Sequence, residues 1–152
     1  MRILVISDSH GMPSHIMEAV ELHPEADALI FLGDGEHDLE MIENCCDIPQ
    51  IVKVAGNCDF SSRLPLCRII TLGGKKIYCT HGHSEHVKHG VDELLCCARR
   101  EDADIVLYGH THAVVTDYED GLYIMNPGSI RDGNYGLIDI VPGGVMLNAA
   151  RL

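Results

Sequence analysis

Apolar positions along the chain fall first into short, unbroken runs. Arg2-Ile3-Leu4-Val5-Ile6-Ser7, Ala28-Leu29-Ile30-Phe31-Leu32, Ile51-Val52-Lys53-Val54-Ala55 and Asp104 to Tyr108 are too short for helices and too uniformly apolar for strands with one wet face. They predict strands buried on both sides, the pattern of parallel sheets covered by helices. Helical periodicity fills the gaps. Met12-Pro13-Ser14 can start a helix whose apolar face is Ile16, Met17, Ala19, Val20 and Leu22, ending before His23-Pro24. A second, shorter helix is expected from Asp38 to Cys45, with Leu39, Ile42 and Cys46 turned inward. The first third therefore reads βαβαβ.

The pattern then changes. Arg68 to Thr71 and Lys76 to Thr80 flank Gly73-Gly74, a pair suited to closing a β-hairpin. A helix is expected from Val87 to Arg100, with Val91, Leu94, Leu95 and Ala98 on one face. Val114 to Tyr118 and Leu122 to Met125 flank Asp120-Gly121, and Gly136 to Val141 and Val145 to Asn148 flank Pro142-Gly143-Gly144. The expected fold is α/β with two sheets buried against each other and helices outside, parallel strands early and hairpins late. At 152 residues, one domain over 1–152 is expected.

The net charge of −12 offers no basic surface to a nucleic-acid backbone, so an extended nucleic-acid interface is not expected. It does not exclude a phosphate substrate, because bound cations invert the local field. Seven cysteines, with two adjacent pairs and no CxxC, argue against a disulfide framework or a zinc knuckle and fit a reducing compartment. The chain opens on a strand-like run with no room for a signal peptide, and no apolar stretch reaches membrane-spanning length. A cytoplasmic location with no membrane partner is the expectation. The late hairpins offer an edge at which two copies could pair, without demanding a homo-oligomer.

What the strands end in changes the picture most. Ser7-Asp8-Ser9-His10, Gly33-Asp34, Gly56-Asn57-Cys58-Asp59, Thr80-His81-Gly82-His83 and Gly109-His110-Thr111-His112 each close an apolar run. Ligands in α/β sheets bind beyond the carboxyl ends of strands. Singly, a Gly-Asp or Gly-Asn is a turn, and His15, His23, His37, His86 and His89 are read as surface residues. Jointly, Asp8, His10, Asp34, Asn57, His81, His110 and His112 form a donor set suited to divalent transition metals. Seven donors exceed what one catalytic ion needs and suit two ions about 3.5–4 Å apart sharing a carboxylate. In Asp8-Ser9-His10 and His110-Thr111-His112, residues i and i+2 are expected to share one face of an extended segment.

These motifs, together with Asn126-Pro127-Gly128-Ser129, resemble in order those of calcineurin-like metallophosphoesterases, in particular the small single-domain phosphodiesterases of bacteria and archaea. The resemblance implies a four-layer α-β-β-α sandwich with two mixed β-sheets. It implies one ion on Asp8, His10 and His112, a second on Asn57, His81 and His110, and Asp34 bridging the two. Manganese is the expected metal, with iron, zinc, nickel and magnesium as alternatives. The implied activity is hydrolysis of a small phosphodiester by a metal-bridging hydroxide, carried by Asp34, Asn57, Cys58 and His81. His83 is expected to contact substrate oxygens. Many members of the family carry a histidine after the asparagine; Cys58 stands there, either as a proton donor or as a small residue lining the substrate pocket. Asp59 could orient a neighbour or a water. A phosphomonoesterase on the same site and a weakly catalytic interaction scaffold are the alternatives.

Overall fold

A computed structural model describes residues 1–45 and 47–152. The inward position expected for Cys46 lies outside the described residues. The elements run β1 Arg2–Ile6, α1 Pro13–Leu22, β2 Ala28–Phe31, α2 Glu36–Glu43, β3 Ile51–Lys53, β4 Cys67–Leu72, β5 Lys75–Thr80, α3 Asp92–Arg100, β6 Ile105–Leu107, β7 Val115–Glu119, β8 Leu122–Asn126, β9 Asn134–Val141 and β10 Gly144–Arg151. A short 3₁₀ turn at Ile130–Asp132, which the apolar pattern did not signal, precedes β9.

Two five-stranded mixed sheets form, ordered β10-β9-β1-β2-β3 and β4-β5-β6-β8-β7. Alternate side chains of the apolar runs serve two different cores. Ile3, Val5, Ala28 and Ile30 of the first sheet meet Ile77, Cys79, Ile105, Leu107 and Met125 of the second, filling the space between the sheets. Leu4, Ile6, Leu29 and Phe31 point the other way, onto Ile16, Ala19 and Val20 of α1 and Leu39 and Ile42 of α2. On the outer face of the second sheet, Val106, Leu122 and Ile124 pack on Leu94, Leu95 and Ala98 of α3. Three cores separated by two sheets make four layers, helices–sheet–sheet–helix, as the two-sided burial of the runs required.

The structure departs from the sequence pattern at four points. Parallel pairing is not confined to the first half: β1-β2-β3 and β5-β6-β8 are both parallel triples. The last hairpin returns to the first sheet, where β9 pairs antiparallel with β1, Leu137 opposite Leu4. Nor does a helix begin at Val87. Residues 81–91 form turns, with His86 at φ 51° and Gly90 at φ 139°, and α3 starts at Asp92. Val87 is drawn beneath Tyr78 and Tyr108, its N–H donating to the Gly82 carbonyl at 3.2 Å. Acidic Asp92 and Glu93 at the start of α3, and Arg99 and Arg100 at its end, complement the helix dipole. Likewise α2 begins two residues earlier than the apolar pattern suggested, at Glu36.

Candidate metal centre

The two parallel triples present their carboxyl ends to one place. β1 leads into Asp8 and His10, β2 into Asp34, β3 into Asn57, β5 into His81, and β6 into His110 and His112. The sixth strand, β8, ends in Asn126, a buried brace. Its amide donates to the Gly109 carbonyl at 2.9 Å and the Thr111 hydroxyl at 3.0 Å, and its oxygen accepts the Gly128 N–H.

The turns that aim the candidate ligands are tight and conformationally costly. Asp8, His10, Asp34, His110 and His112 have φ between 42° and 66°. They are five of the nine non-glycine residues at positive φ among the described residues. That left-handed region costs an L-residue roughly 1 kcal/mol or more, and such conformations cluster where function holds them. The expected sharing of one extended face by Asp8 and His10, and by His110 and His112, is therefore wrong. Each pair meets because the chain curls, not because it is straight. Glycines permit the crowding: a Cβ on Gly109 would collide with the Ser7 hydroxyl and the Asp8 carboxylate, and Gly33 and Gly56 touch backbone to backbone.

The donor atoms converge as three overlapping groups. Asp8, His10 and His112 form the first, Asp34, His81 and His110 the second, and His10, Asp34 and Cys58 a third that joins them. In the first, His112 Nε2 lies 3.1 Å from Asp8 Oδ1 and 3.3 Å from His10 Nε2. In the second, His81 Nε2 lies 3.1 Å from His110 Nδ1, 3.2 Å from Asn57 Oδ1 and 3.4 Å from Asp34 Oδ2. Asp34 Oδ2 is also 3.8 Å from His10 Nε2, so this carboxylate borders both groups. His81 Nδ1 meets the Leu32 carbonyl at 2.8 Å, which assigns its proton there and turns the lone pair of Nε2 inward. Lone pairs crowded at these spacings fit a cation. Donors about 2.1 Å from one ion at right angles stand about 3 Å from each other.

The charges tell the same story. Burial works against charging His81, yet its hydrogen bond to Asp34 and the fields of Asp8 and Asp34 raise its pKa. Asp34 is held well below the usual carboxylate range, since the His81 hydrogen bond and charge and the Cys58 N–H, 2.7 Å away, outweigh its burial. Burial, with the neighbouring charges of His81 and Lys88, pushes His110 down to about 4. The site draws in one positive charge strongly and resists several protons at once.

The other expected residues are placed as follows. Cys58 is exposed beside Asn57, whose amide donates to its sulfur at 3.2 Å. Burial and the charge of Asp34 push the thiol up to about 11. His83 stands 5.4 Å from His81, ring centre to ring centre, with a buried Nδ1 that has no hydrogen-bond partner among the described residues. His37, His86 and His89 are exposed, as expected. His15 and His23 are half-buried instead, meeting the Ile130 carbonyl and the Tyr135 hydroxyl at 3.0 Å each.

The supporting carboxylates were largely missed. Asp59 accepts four backbone N–H groups, those of Asp34, Gly35, Glu36 and Gly56, at 2.7–2.8 Å. It clamps the turn after β2 to the turn after β3. Asp38 accepts from the Ser9 hydroxyl at 2.6 Å and the Gly11 N–H at 2.8 Å, bracing the His10 turn. An aspartate directly after the Asn57-Cys58 pair was the available signal for the first. Nothing local marked the second.

This arrangement is that of a metal-dependent phosphoesterase. The profile of the calcineurin-like phosphoesterase superfamily domain matches residues 1–140, and the chain belongs to that superfamily. Its relatives include the probable metallophosphoesterase YsnB of Bacillus subtilis strain 168, 35% identical over 86% of this chain and 76% of that one. The vacuolar protein sorting-associated protein 29 of Schizosaccharomyces pombe is 34% identical over 85% of this chain and 72% of that one. The phosphodiesterase YfcE of Escherichia coli K12 is 26% identical over 91% and 88%.

Proposed function

We propose that residues 1–152 form one catalytic domain that hydrolyses a small phosphodiester at a dinuclear centre. The observation that carries this reading is the pair of converging donor groups with Asp34 between them. Asp8, His10 and His112 would hold one divalent ion, Asn57, His81 and His110 the other, and Asp34 both, with manganese the expected metal. Bound there, such ions would supply Lewis acidity for activating water near neutral pH and for neutralising charge on the phosphoryl oxygens.

The chain's own groups do the rest. Asp34 and Asp8 set the charge of the site, and the Leu32 carbonyl keeps the His81 lone pair inward. His83, its ring centre 5.4 Å from that of His81, is the residue we assign to contact a phosphoryl oxygen. Cys58 lines the substrate side and orients the Asn57 amide through its sulfur. Cys58 stands where a histidine acid would protonate the leaving group, so leaving groups that depart as stable anions are favoured, and an aryl diester should outrun an alkyl one. A relative named phosphodiesterase supports diester over monoester chemistry. The similarity to a sorting-associated protein favours a second reading, in which the chain assembles with other proteins; the complete donor set weighs against a purely structural role.

The test is turnover of an activated phosphodiester and its matched monoester by metal-stripped protein, before and after Mn²⁺, beside Asp34→Asn. Mn²⁺-dependent diester cleavage lost in the variant is expected. Faster monoester cleavage would move the activity to the monoesterase, and tight metal binding without turnover would favour the assembly role.

A further inference from the structure

A groove of about 600 Å³ runs from the donor cluster over the loop that follows Asn57. It is shared by His10, Asp34 and Cys58 of the site and by Phe60, Arg63 and Glu40, which lie outside the donor set. Aromatic residues are scarce, with no tryptophan, two phenylalanines and five tyrosines, and most are used inside. Phe31, Tyr78, Tyr108 and Tyr135 are buried, and the exposed Tyr118 packs at a tilt against Tyr123. Phe60 is 87% exposed and has no ring partner among the described residues. Single exposed apolar side chains are common on protein surfaces, and what sets Phe60 apart is its place in the lining of the groove that His10, Asp34 and Cys58 share.

The loop presents Phe60 from a fixed root. Asp59 is bound by its four backbone N–H groups, Phe60 N–H donates to the Cys58 carbonyl at 3.0 Å, and Ser62 N–H donates to the Asp59 carbonyl at 3.2 Å. The Ser62 hydroxyl accepts the Leu64 N–H at 3.0 Å, and Ala55 N–H reaches the Pro65 carbonyl at 2.9 Å. Arg63 is the groove's one Lys or Arg, on a lining that also carries Asp34, Glu36, Asp38, Glu40 and Asp59. Such an excess of carboxylates over one guanidinium disfavours further phosphates and suits a neutral ring whose edge carries donors for the carboxylates and acceptors for Arg63.

We propose that this groove is a nucleoside subsite, in which Phe60 stacks on a neutral base and Arg63 donates to its acceptor edge, so that the substrate is a nucleoside phosphodiester. This rests on the phosphodiesterase reading for the position of the phosphate, and supplies its substrate class.

Calorimetric binding of thymidine 5′-monophosphate and of ribose 5-phosphate to the Mn²⁺-loaded chain separates base from phosphate. Tighter binding of the nucleotide is expected, with that preference falling about tenfold in Phe60→Ala and returning in Phe60→Tyr. Arg63→Met should reduce it about threefold. Equal affinity of the wild-type chain for the two probes, or a preference unchanged in Phe60→Ala, overturns the subsite. Diester turnover measured in parallel keeps the two ideas apart. Turnover with no base preference sinks the subsite alone. A Phe60-dependent base preference without turnover sinks the phosphodiesterase reading and leaves the subsite standing.

Discussion

The two donor groups share a wall but not an environment. Asp34 and His81 are 3% and 0% exposed, with His110 half-buried and Asn57 exposed beside them; in the other group His10 and His112 are 22% and 39% exposed, and only Asp8 is buried. The difference lies in what stands behind the donors. The His81 ring is fixed from behind by the Leu32 carbonyl, and Asp34 by the Cys58 N–H. Among the described residues, His10 and His112 meet polar partners through Nε2 alone. Partners behind a ligand fix its tautomer and orientation and raise its affinity for metal. One group is thus a preset socket and the other an open one, next to the groove where substrate would enter.

The sharpest way to break this contrast is to remove one imidazole from each group. His81→Ala should lower kcat/KM by more than the roughly 100-fold that loss of a supporting residue costs, with no recovery in excess Mn²⁺. His112→Ala should bind one ion more weakly and recover much of its rate as Mn²⁺ is raised. Metal titration by calorimetry reads both, and equal behaviour of the two variants would erase the distinction. Stepwise chelation of the loaded chain should likewise remove one ion well before the other.

Smaller effects test the braces. Asp59→Asn replaces an acceptor of four backbone N–H groups with an amide that must point donors at some of them. A loss of about 3 kcal/mol in urea unfolding is expected. Asn126→Ala removes the brace behind His110 and should cost about 2 kcal/mol, since the Gly109 carbonyl and Gly128 N–H lose buried partners. If Asp59→Asn left stability unchanged, the turns after β2 and β3 would not depend on that clamp.

The smallest effect lies far from the site. Arg2 meets Asp139 at 2.8 and 2.9 Å, and that hydrogen-bonded pair holds the Asp139 carboxyl below its ordinary value. A lowered carboxyl stabilises the fold above its unfolded pKa and loses that contribution as pH falls through the folded one. Asp139→Asn should therefore melt a few degrees below the wild-type chain at neutral pH, with the gap closing as pH falls through and below the ordinary aspartate range. A gap constant with pH would show that the pair contributes through something other than charge.

Much of this was legible along the chain because both signals are local. A strand buried on two faces needs an unbroken apolar run, and Ile3 to Ile6 or Ala28 to Phe31 cannot satisfy two cores with anything else. Metal binding needs particular atoms, so Asp8, His10, Asp34, Asn57, His81, His110 and His112 stood out as candidates by type and by place at strand ends. The return of β9 to pair with β1 was not legible, because hairpins carry no mark of the sheet they join. Nor was the start of α3: Val87 fits a helical period, but its side chain has a better place beneath Tyr78 and Tyr108.

The chain by itself thus determined the layers and the donors, through periodicity and side-chain chemistry that each residue carries alone. Only the tertiary structure decided how they meet. The left-handed turns at Asp8 and His112, the clamp of Asp59 on a loop more than twenty residues away and the exposure of Phe60 beside the site follow from contacts between distant segments. Such contacts have no period, and they exist only once both sheets have packed.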